Sequence, residues 1–507
     1  MAAPALTLRS STALAWRTLR SMRTALVLLL LLALASVAGS LVPQVGVAEA
    51  RIAATFRDHP LRARIYEQLG LFDVYGSWWF TLLYVLLLVS LGACLLPRTR
   101  ALVRNLRARP SPARELDGLR HYAEVSVGED PDRAIAGARR LLRRRRFRVH
   151  RADGRPALAA DKGLAREAGS LLFHWSFFLL LIGIVWGKGT GFTGTAVVVE
   201  GQTWVEAHAN YDGTVREGRF FGEDHSGIRL EVEEFRATYR PTGQPEDFVT
   251  VGRLSRADGS VAREVEIRVN EPAVLDGVRF YQFGYGWAPV VEVERDGEPI
   301  ASAPIVCTQA TPPTGVSRLQ LPWDCVLKLP SLRPQLGLEL VLWPDSRSLY
   351  ALLDTGTAMP MFRAFAPVMT YRLYRGDLGL GSPQRTTVLD TSRMREVSSG
   401  AIGAGETVDL GDGVTMRFAD LREYTVLQVG RDRGLWIVLL AAILLLVGLL
   451  PALYSSRRKL WVSAEPHDGG AMLKVGGFAL HRRSQFEEEF ARLVAELRRS
   501  SREEARA

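Results

Sequence analysis

Residues 169–187 read GSLLFHWSFFLLLIGIVWG, an apolar run long enough to cross a bilayer that holds one titratable side chain, His174. Three further runs of similar length contain no charged residue: residues 24–42, 78–96 and 435–454. A helix needs roughly 20 apolar residues to cross the hydrocarbon core. The sequence therefore predicts an integral membrane protein with four transmembrane α-helices, the third of them over residues 170–187. The first run is longer than the apolar part of a typical signal peptide, so we expect it to remain as an uncleaved helix.

His174 lies at membrane depth, where ionisable side chains are costly and usually functional. A neutral imidazole is also a common ligand of haem iron. One interpretation is therefore an axial haem ligand inside the membrane, and the other is a histidine hydrogen-bonded to a neighbouring helix. No second histidine occurs in any of the four spans, so a bis-histidine haem site would need a ligand from another chain.

The net charge of +10 alternates in sign along the chain. It is +4 over residues 1–23, zero over 43–77, +10 over 97–169, −7 over 188–433 and +3 over 455–507. Cytoplasmic loops carry an excess of lysine and arginine. We therefore expect both termini and residues 97–169 to be cytoplasmic, and residues 43–77 and 188–433 to be extracytoplasmic. Topology and anionic lipid then explain the basic character, so nucleic acid is not an expected partner.

The segments outside the spans predict two folded domains and a tail. Residues 188–433 alternate like strands between glycine, proline and aspartate turns, which indicates a large extracytoplasmic all-β, sandwich-like domain. Residues 97–169 alternate at 122–127 and then follow helical spacing, which predicts a small cytoplasmic α+β loop domain. The tail, residues 455–507, ends in a helix whose apolar stripe either packs on a domain or lies on the membrane.

The three cysteines exclude several redox and metal sites. The sequence contains no Cys-x-x-Cys pair, which excludes a thioredoxin-like redox pair, a zinc ribbon and a c-type haem attachment sequence. Cys307 and Cys325 both lie in the predicted extracytoplasmic domain. In an extracytoplasmic domain these two cysteines could form a disulfide or remain as free thiols, and the sequence does not decide between the two.

The histidines outside the spans form no recognisable site in the sequence. His208 and His225 stand apart from each other without metal-ligand spacing, and His59 is isolated in the first outer loop. Aromatic residues near His208 and His225 indicate either core packing or a surface that faces haem or peptide. We find no autonomous catalytic constellation, and we retain these three histidines as candidate haem contacts outside the membrane.

Five stretches of the sequence, taken in order, are similar to one known family. They are SMRTALVLLLLLALASVAGSLVPQ (21–44), SWWFTLLYVLLLVSLGACLLPR (77–98), GSLLFHWSFFLLLIG (169–183), TYRPTGQPEDFVT (238–250) and VNEPAVLDGVRFYQFGYG (269–286). Together they resemble the ResB (CcsB-type) family of cytochrome c biogenesis proteins over most of the chain.

The resemblance implies a non-redox subunit of a system II holocytochrome c synthase complex. In such a complex a ResC (CcsA-type) partner bears a tryptophan-rich motif, which this chain lacks, so the chain resembles the separate-subunit form. The pair would transport haem b, bind it transiently and attach it to apocytochrome c. His174 falls where the family has its membrane histidine, and the resemblance implies that this residue is a haem ligand. Thiol-disulfide reductants of the pathway would supply the electrons.

The arginine- and alanine-rich composition and the lack of a serine-rich transit peptide favour a bacterial plasma membrane. The competing hypothesis is a membrane-anchored extracytoplasmic binding, sensor or scaffold protein that handles no haem. It predicts that His174 is dispensable.

Overall fold

The computed structural model describes residues 16–45, 48–111, 115–222, 225–240, 244–260, 262–309, 312, 316–381 and 387–504. Its helices are α1 (Met22–Leu41), α2 (Glu49–Asp58), α3 (Pro60–Gln68), α4 (Trp78–Arg107), α5 (Pro131–Arg144), α6 (Ala165–Thr190), α7 (Ser346–Thr355), α8 (Leu435–Tyr454) and α9 (Arg483–Glu504). The chain divides into two compact units. The first consists of Met1–Leu181 together with Ile437–Ala507, and the second consists of Ile182–Trp436.

The strands are β1 (His121–Val127), β2 (Arg148–Arg151), β3 (Ala157–Lys162), β4 (Phe192–Val199), β5 (Thr203–Val205), β6 (Asp212–Glu217), β7 (Arg229–Tyr239), β8 (Pro245–Ser255), β9 (Ala262–Arg268), β10 (Ala273–Leu275), β11 (Val278–Arg295), β12 (Glu298–Pro304), β13 (Trp323–Leu329), β14 (Gln335–Trp343), β15 (Val368–Gly376), β16 (Met394–Gly403), β17 (Thr407–Gly411), β18 (Val414–Arg431), β19 (Arg458–His467) and β20 (Gly470–Ala479).

The four apolar runs form α1, α4, α6 and α8, which are each long and apolar enough to span a membrane. Helix α8 has the bounds 435–454 that the sequence predicts, whereas α6 is longer than predicted at both ends. Helix α4 continues past residue 96, through Pro97, to Arg107. Its basic last turn suits the negative end of the helix dipole, which favours this extension beyond the apolar run.

Helices α6 and α8 touch through two glycines. A Cβ placed on Gly169 would lie 2.5 Å from the carbonyl oxygen of Gly448, and one placed on Gly448 would lie 2.6 Å from the amide nitrogen of Phe173. No side chain fits between the two backbones at this point. Small residues permit such close approach in a membrane, where lipid provides no hydrophobic drive for helices to associate.

Segments on both sides of α8 in the sequence build one sheet. Its strand order is β1-β20-β19-β3-β2, so the two tail strands lie among the strands of the 97–169 segment. The apolar stripe of α9 enters the same core as α5, through Phe486, Phe490 and Leu493. The predicted loop domain and the tail are therefore parts of one α+β domain, and the tail helix packs on that domain.

The second unit contains the β domain. Its largest sheet has the order β10-β11-β18-β4-β6, with β12 beside β11 and β17 beside β18. Strands β11 and β18 have 18 residues each and pair antiparallel along their whole length. The sheet β5-β7-β8-β9 shares a core with one half of this pair, and the sheet β13-β14-β15-β16 shares a core with the other. Two sandwiches therefore have one sheet in common.

Among its described residues, the β domain differs from the all-β prediction most clearly in the ten-residue helix α7. The side chain of Asp345 accepts a hydrogen bond from the amide of Arg347, which caps the start of this helix. This cap starts a helix directly after β14, and the pairing of the strands in the sheets is unaffected. The domain is therefore β-rich with a helical insertion.

A disulfide joins Cys307, which follows β12, to Cys325 in β13. Both residues are buried in the core that β11 and β18 share with β13 to β16. The hydroxyl of Tyr424 on β18 donates to the carbonyl oxygen of Cys307 over 2.6 Å. The bond therefore anchors the connection between the common sheet and its outer neighbour.

Three carboxylates meet near the junction of β4, β7 and β18. The backbone amides of Phe235 and Glu423 each donate a hydrogen bond to the side-chain carboxylate of Glu200. Burial, together with the charges of Glu200 and Glu234, raises the pKa of Glu423 from 4.5 to about 8. The folded state therefore binds this proton more tightly than the unfolded state does, and its stability falls as the pH rises from about 4.5 to 8.

We expect Gly448→Val to destabilise the membrane helices by about 1–3 kcal/mol, because the added side chain forces α8 away from α6. The measurement is the thermal unfolding of the full chain in detergent. Leu446→Val is the matched control, since Leu446 is 65% exposed on the same helix. Equal midpoints for the two variants would contradict the requirement for glycine.

We expect Glu423→Gln to remove the loss of stability between pH 4.5 and 8, because glutamine resembles the protonated carboxyl. At pH 8.5 the variant should unfold roughly 10 °C above the wild type, and at pH 5 the two should nearly coincide. Tryptophan fluorescence reports the transition, since Trp287 lies opposite Glu423 in the sheet. The exposed Glu231→Gln is the control, and parallel pH profiles for all three proteins would refute the assignment.

Candidate functional site

Helix α6 packs on α4 through one of its faces. Leu171, Trp175 and Phe178 on α6 lie in a small apolar cluster with Leu95 of α4. The indole nitrogen of Trp175 donates to the hydroxyl oxygen of Thr99 over 3.1 Å, which satisfies both groups between the helices. Gly169 and its neighbouring turn face α8 on another side of the helix. These two contacts fix the rotation of α6 about its axis.

A third stripe of α6 consists of Ser170, His174 and Phe177. Successive residues of an α-helix are rotated by about 100°, so this stripe lies on a different side of the helix from Gly169 and from the Leu171, Trp175 and Phe178 cluster. Phe177 is 39% exposed, and His174 is half-buried. His174 is therefore open to a ligand or to another chain.

The ring of His174 is held in one tautomer. Its Nδ1 lies 2.6 Å from the carbonyl oxygen of Ser170, one turn earlier in the helix. A carbonyl oxygen only accepts hydrogen bonds, so Nδ1 carries a proton, and in the neutral ring Nε2 keeps its lone pair. No other residue in the described ranges contacts Nε2 through a hydrogen bond. A neutral imidazole with a free Nε2 fits the axial position of a haem iron.

A cavity of about 410 Å³ opens at the start of the same helix. Its walls include Arg98 of α4, Arg166 and Ser170 of α6, and Arg457 after α8. Arg457 donates to Glu167, whereas Arg98 and Arg166 form no ion pair within the part of the chain that the structure describes. Two guanidinium groups are therefore available to carboxylates or phosphates, which arginine binds in bidentate geometry.

The structure places His59 at the junction of α2 and α3. Its amide donates to the carbonyl of Thr55, and its carbonyl accepts from the amide of Ala63, so its backbone belongs to both helices. The side chain is exposed and has no hydrogen-bond or ion-pair partner among the described residues. Its role as a haem contact stays a prediction.

The structure brings His208 and His225 together, so the expectation that they stand apart is wrong. Their ring centroids are 5.8 Å apart. Nδ1 of His208 lies 2.6 Å, and Nε2 of His225 lies 3.0 Å, from Oε1 of Glu217. The pairing of β6 with β4 is irregular: Arg216 lies opposite Thr193 and Asp212 opposite Thr195, so β6 bulges between its two ends. Glu217, at the end of β6, therefore stays close to the 3-10 turn that begins at His208.

Behind His225 lies Glu206, a carboxylate with no exposed surface. It accepts from Nδ1 of His225, from the hydroxyl of Tyr211 at 2.8 Å, and from both the amide and the hydroxyl of Ser226. Burial alone would raise the pKa of Glu206, but the hydrogen bonds from His225, Ser226 and Tyr211 lower it. Burial alone would lower the pKa of His225, but hydrogen bonds to Glu206 and Glu217 raise it. Each partner therefore stabilises the charged form of the other.

Sequence reasoning missed two sets of residues at these places. Glu206 and Glu217 fall in the same 20-residue stretch as the two histidines, and this density of ligand types was the available signal. The arginines of the α6 cavity come from three distant parts of the chain. In the sequence each resembles an ordinary cytoplasmic-side arginine, and only the fold shows that they share a cavity.

Comparison with known proteins identifies the family. The model of the ResB-like family matches residues 22–491. A protein of Trichormus variabilis named cytochrome c biogenesis protein CcsB is 26% identical over 488 residues, which cover 94% of this chain and 91% of that protein. Proteins of the same name are 26% identical in Nostoc (95% and 92% covered) and 28% identical in a Synechococcus strain (94% and 88% covered). The resemblance inferred from the five stretches is confirmed, and the chain belongs to the ResB-like family.

Proposed function

We propose that this chain is the haem-holding subunit of a system II cytochrome c biogenesis complex, with His174 as an axial ligand of haem b. The observation that supports the proposal is that Nε2 of His174 has no hydrogen-bond partner among the described residues and lies on a stripe of α6 apart from the Leu171, Trp175 and Phe178 cluster. The names of the relatives, cytochrome c biogenesis protein CcsB, point to the same process.

Haem is the cargo in this proposal, and it brings an iron that accepts an imidazole nitrogen, an apolar ring and two propionates. His174 donates its Nε2 lone pair, and the carbonyl of Ser170 keeps the imidazole in that tautomer. Phe177 offers an apolar surface on the same stripe. Arg166 and Arg98 line the cavity at the start of the helix and are free to pair with carboxylates.

The chain supplies one half of such a site. The open stripe of α6 lets a ResC-type partner approach His174 and contribute a second ligand. We propose the topology that the charge alternation favours, with both termini and the α+β domain in the cytoplasm of a bacterium and the β domain outside its plasma membrane. The β domain then presents apocytochrome c by pairing an extended segment of that substrate with an edge strand of one of its own sheets. The reductants of the pathway keep the thiols of the apocytochrome reduced.

We expect His174→Ala to lower the low-spin haem absorption of the chain copurified with its ResC-type partner at least about tenfold, because an iron ligand is lost. Added imidazole should restore the signal by filling the vacated ligand position. His467→Ala is the control, since His467 is the last residue of β19 and 46% of its side chain is exposed. Unchanged haem in an intact complex would sink the ligand assignment, and no haem in the wild type would favour the binding-protein hypothesis.

We expect Arg166→Gln to reduce the haem retained by the same complex roughly three- to tenfold, because one charge-assisted hydrogen bond to a carboxylate is removed. The position of the absorption bands should not change, since His174 remains. Arg139→Gln removes the same charge from an exposed site on α5 and serves as the control. Equal haem content in the two variants would exclude Arg166 as a propionate partner.

A further inference from the structure

Two imidazole nitrogens and one carboxylate oxygen converge on the surface of the β domain. One ligand atom from each of His208, Glu217 and His225 lies within 4.8 Å of the other two. Zn²⁺ binds such atoms at about 2.0–2.1 Å, and tetrahedral geometry then separates neighbouring ligand atoms by about 3.3 Å. The nitrogen–oxygen separations of 2.6 Å and 3.0 Å are slightly below this value. Small side-chain rotations therefore suffice to admit an ion, and His208 has 66% of its side chain exposed and is free to make them.

Glu206 provides the outer support that a metal-binding histidine usually has. It accepts the Nδ1 proton of His225, which directs Nε2 of that ring towards Glu217. Without metal, Nε2 donates its own proton to the carboxylate of Glu217, and a bound ion would release that proton and take its place. A fully buried carboxylate is expensive unless several donors satisfy it. Here Tyr211 and Ser226 supply these further donors, so the position of His225 is built into the core.

We propose that His208, Glu217 and His225 bind one divalent transition-metal ion, for which Zn²⁺ is the matching choice, with a fourth position open to water. Imidazole ligands disfavour Ca²⁺ and Mg²⁺, which prefer sites made of oxygen atoms alone. The rings of Phe192 and Phe221 pack on His225, whose side chain is only 12% exposed. This enclosure suits a small ion better than a haem macrocycle. The site goes beyond the proposed haem function and does not depend on it.

The bound ion would have a structural consequence for this end of the β domain. His208 comes from a short turn, Glu217 ends β6, and His225 precedes β7. One ion would therefore tie the β6 edge of the common sheet to the start of the outer sheet, so that metal binding and folding of this edge are coupled.

The test uses the full chain in detergent, purified without a histidine tag, stripped with a chelator and titrated with Zn²⁺ against a chromophoric competitor. We expect one Zn²⁺ per chain and a rise of several degrees in the unfolding midpoint. Co²⁺ should give visible bands typical of four-coordinate nitrogen and oxygen ligands. His208→Ala and Glu217→Gln should each weaken binding at least about tenfold, whereas His467→Ala should bind as the wild type does.

A second variant distinguishes the supporting role of Glu206 from the roles of the three ligand residues. Glu206→Gln should keep the stoichiometry of one ion but lower the affinity about 10- to 100-fold, because the amide no longer fixes the tautomer of His225. If this buried substitution prevents folding, the exposed His208→Ala still decides the question. Wild-type protein that binds no more Zn²⁺ than a folded His208→Ala, Glu217→Gln double variant would overturn the proposal.

Discussion

The close contact of Gly169 with Gly448 is the constraint on which the membrane site depends. Because neither residue has a side chain, the backbones of α6 and α8 meet directly, and the packing of Leu171 and Trp175 on α4 occupies a second face of α6. A helix held on two faces cannot rotate. The remaining stripe, with His174, is therefore fixed on a side of the helix that these two contacts do not occupy. In lipid such contacts replace the hydrophobic effect as the source of helix association.

The site that results is divided by polarity along the axis of α6. At the start of the helix, Arg98 and Arg166, which form no ion pair among the described residues, line a cavity, and further along the stripe an imidazole and an aromatic ring follow. An amphiphile with anionic groups and a metal-containing apolar ring matches both ends of this arrangement. The same physical logic explains why the carbonyl of Ser170 is important, since a backbone oxygen that accepts from Nδ1 selects the tautomer without adding a charge to the membrane.

The β domain depends on a different device. Strands β11 and β18 are long enough to serve two sandwiches, and their outer neighbours bury separate cores against the two halves. At the edge of one core, Glu206 is buried and holds His225, although a carboxylate in that place contributes little to folding on its own. The sequence shows the density of ligand residue types in this stretch but not their convergence, because Glu206, Glu217 and the two histidines alternate with residues typical of an exposed strand and turn. Their convergence depends on the pairing of β6 with β4.

By itself, the sequence determined the four helices that are long and apolar enough to span a membrane, the β-rich character of residues 188–433 and membership of the family. These features depend on local signals, namely uninterrupted apolar runs, strict alternation between turns and short stretches of similar sequence. Only the tertiary structure decided that the tail strands β19 and β20 complete the sheet of the α+β domain, that Arg98, Arg166 and Arg457 share a cavity, and that His208 and His225 flank Glu217. Each of these joins residues far apart in the chain, or residues aligned by strand register, and no periodicity within a single segment encodes such contacts.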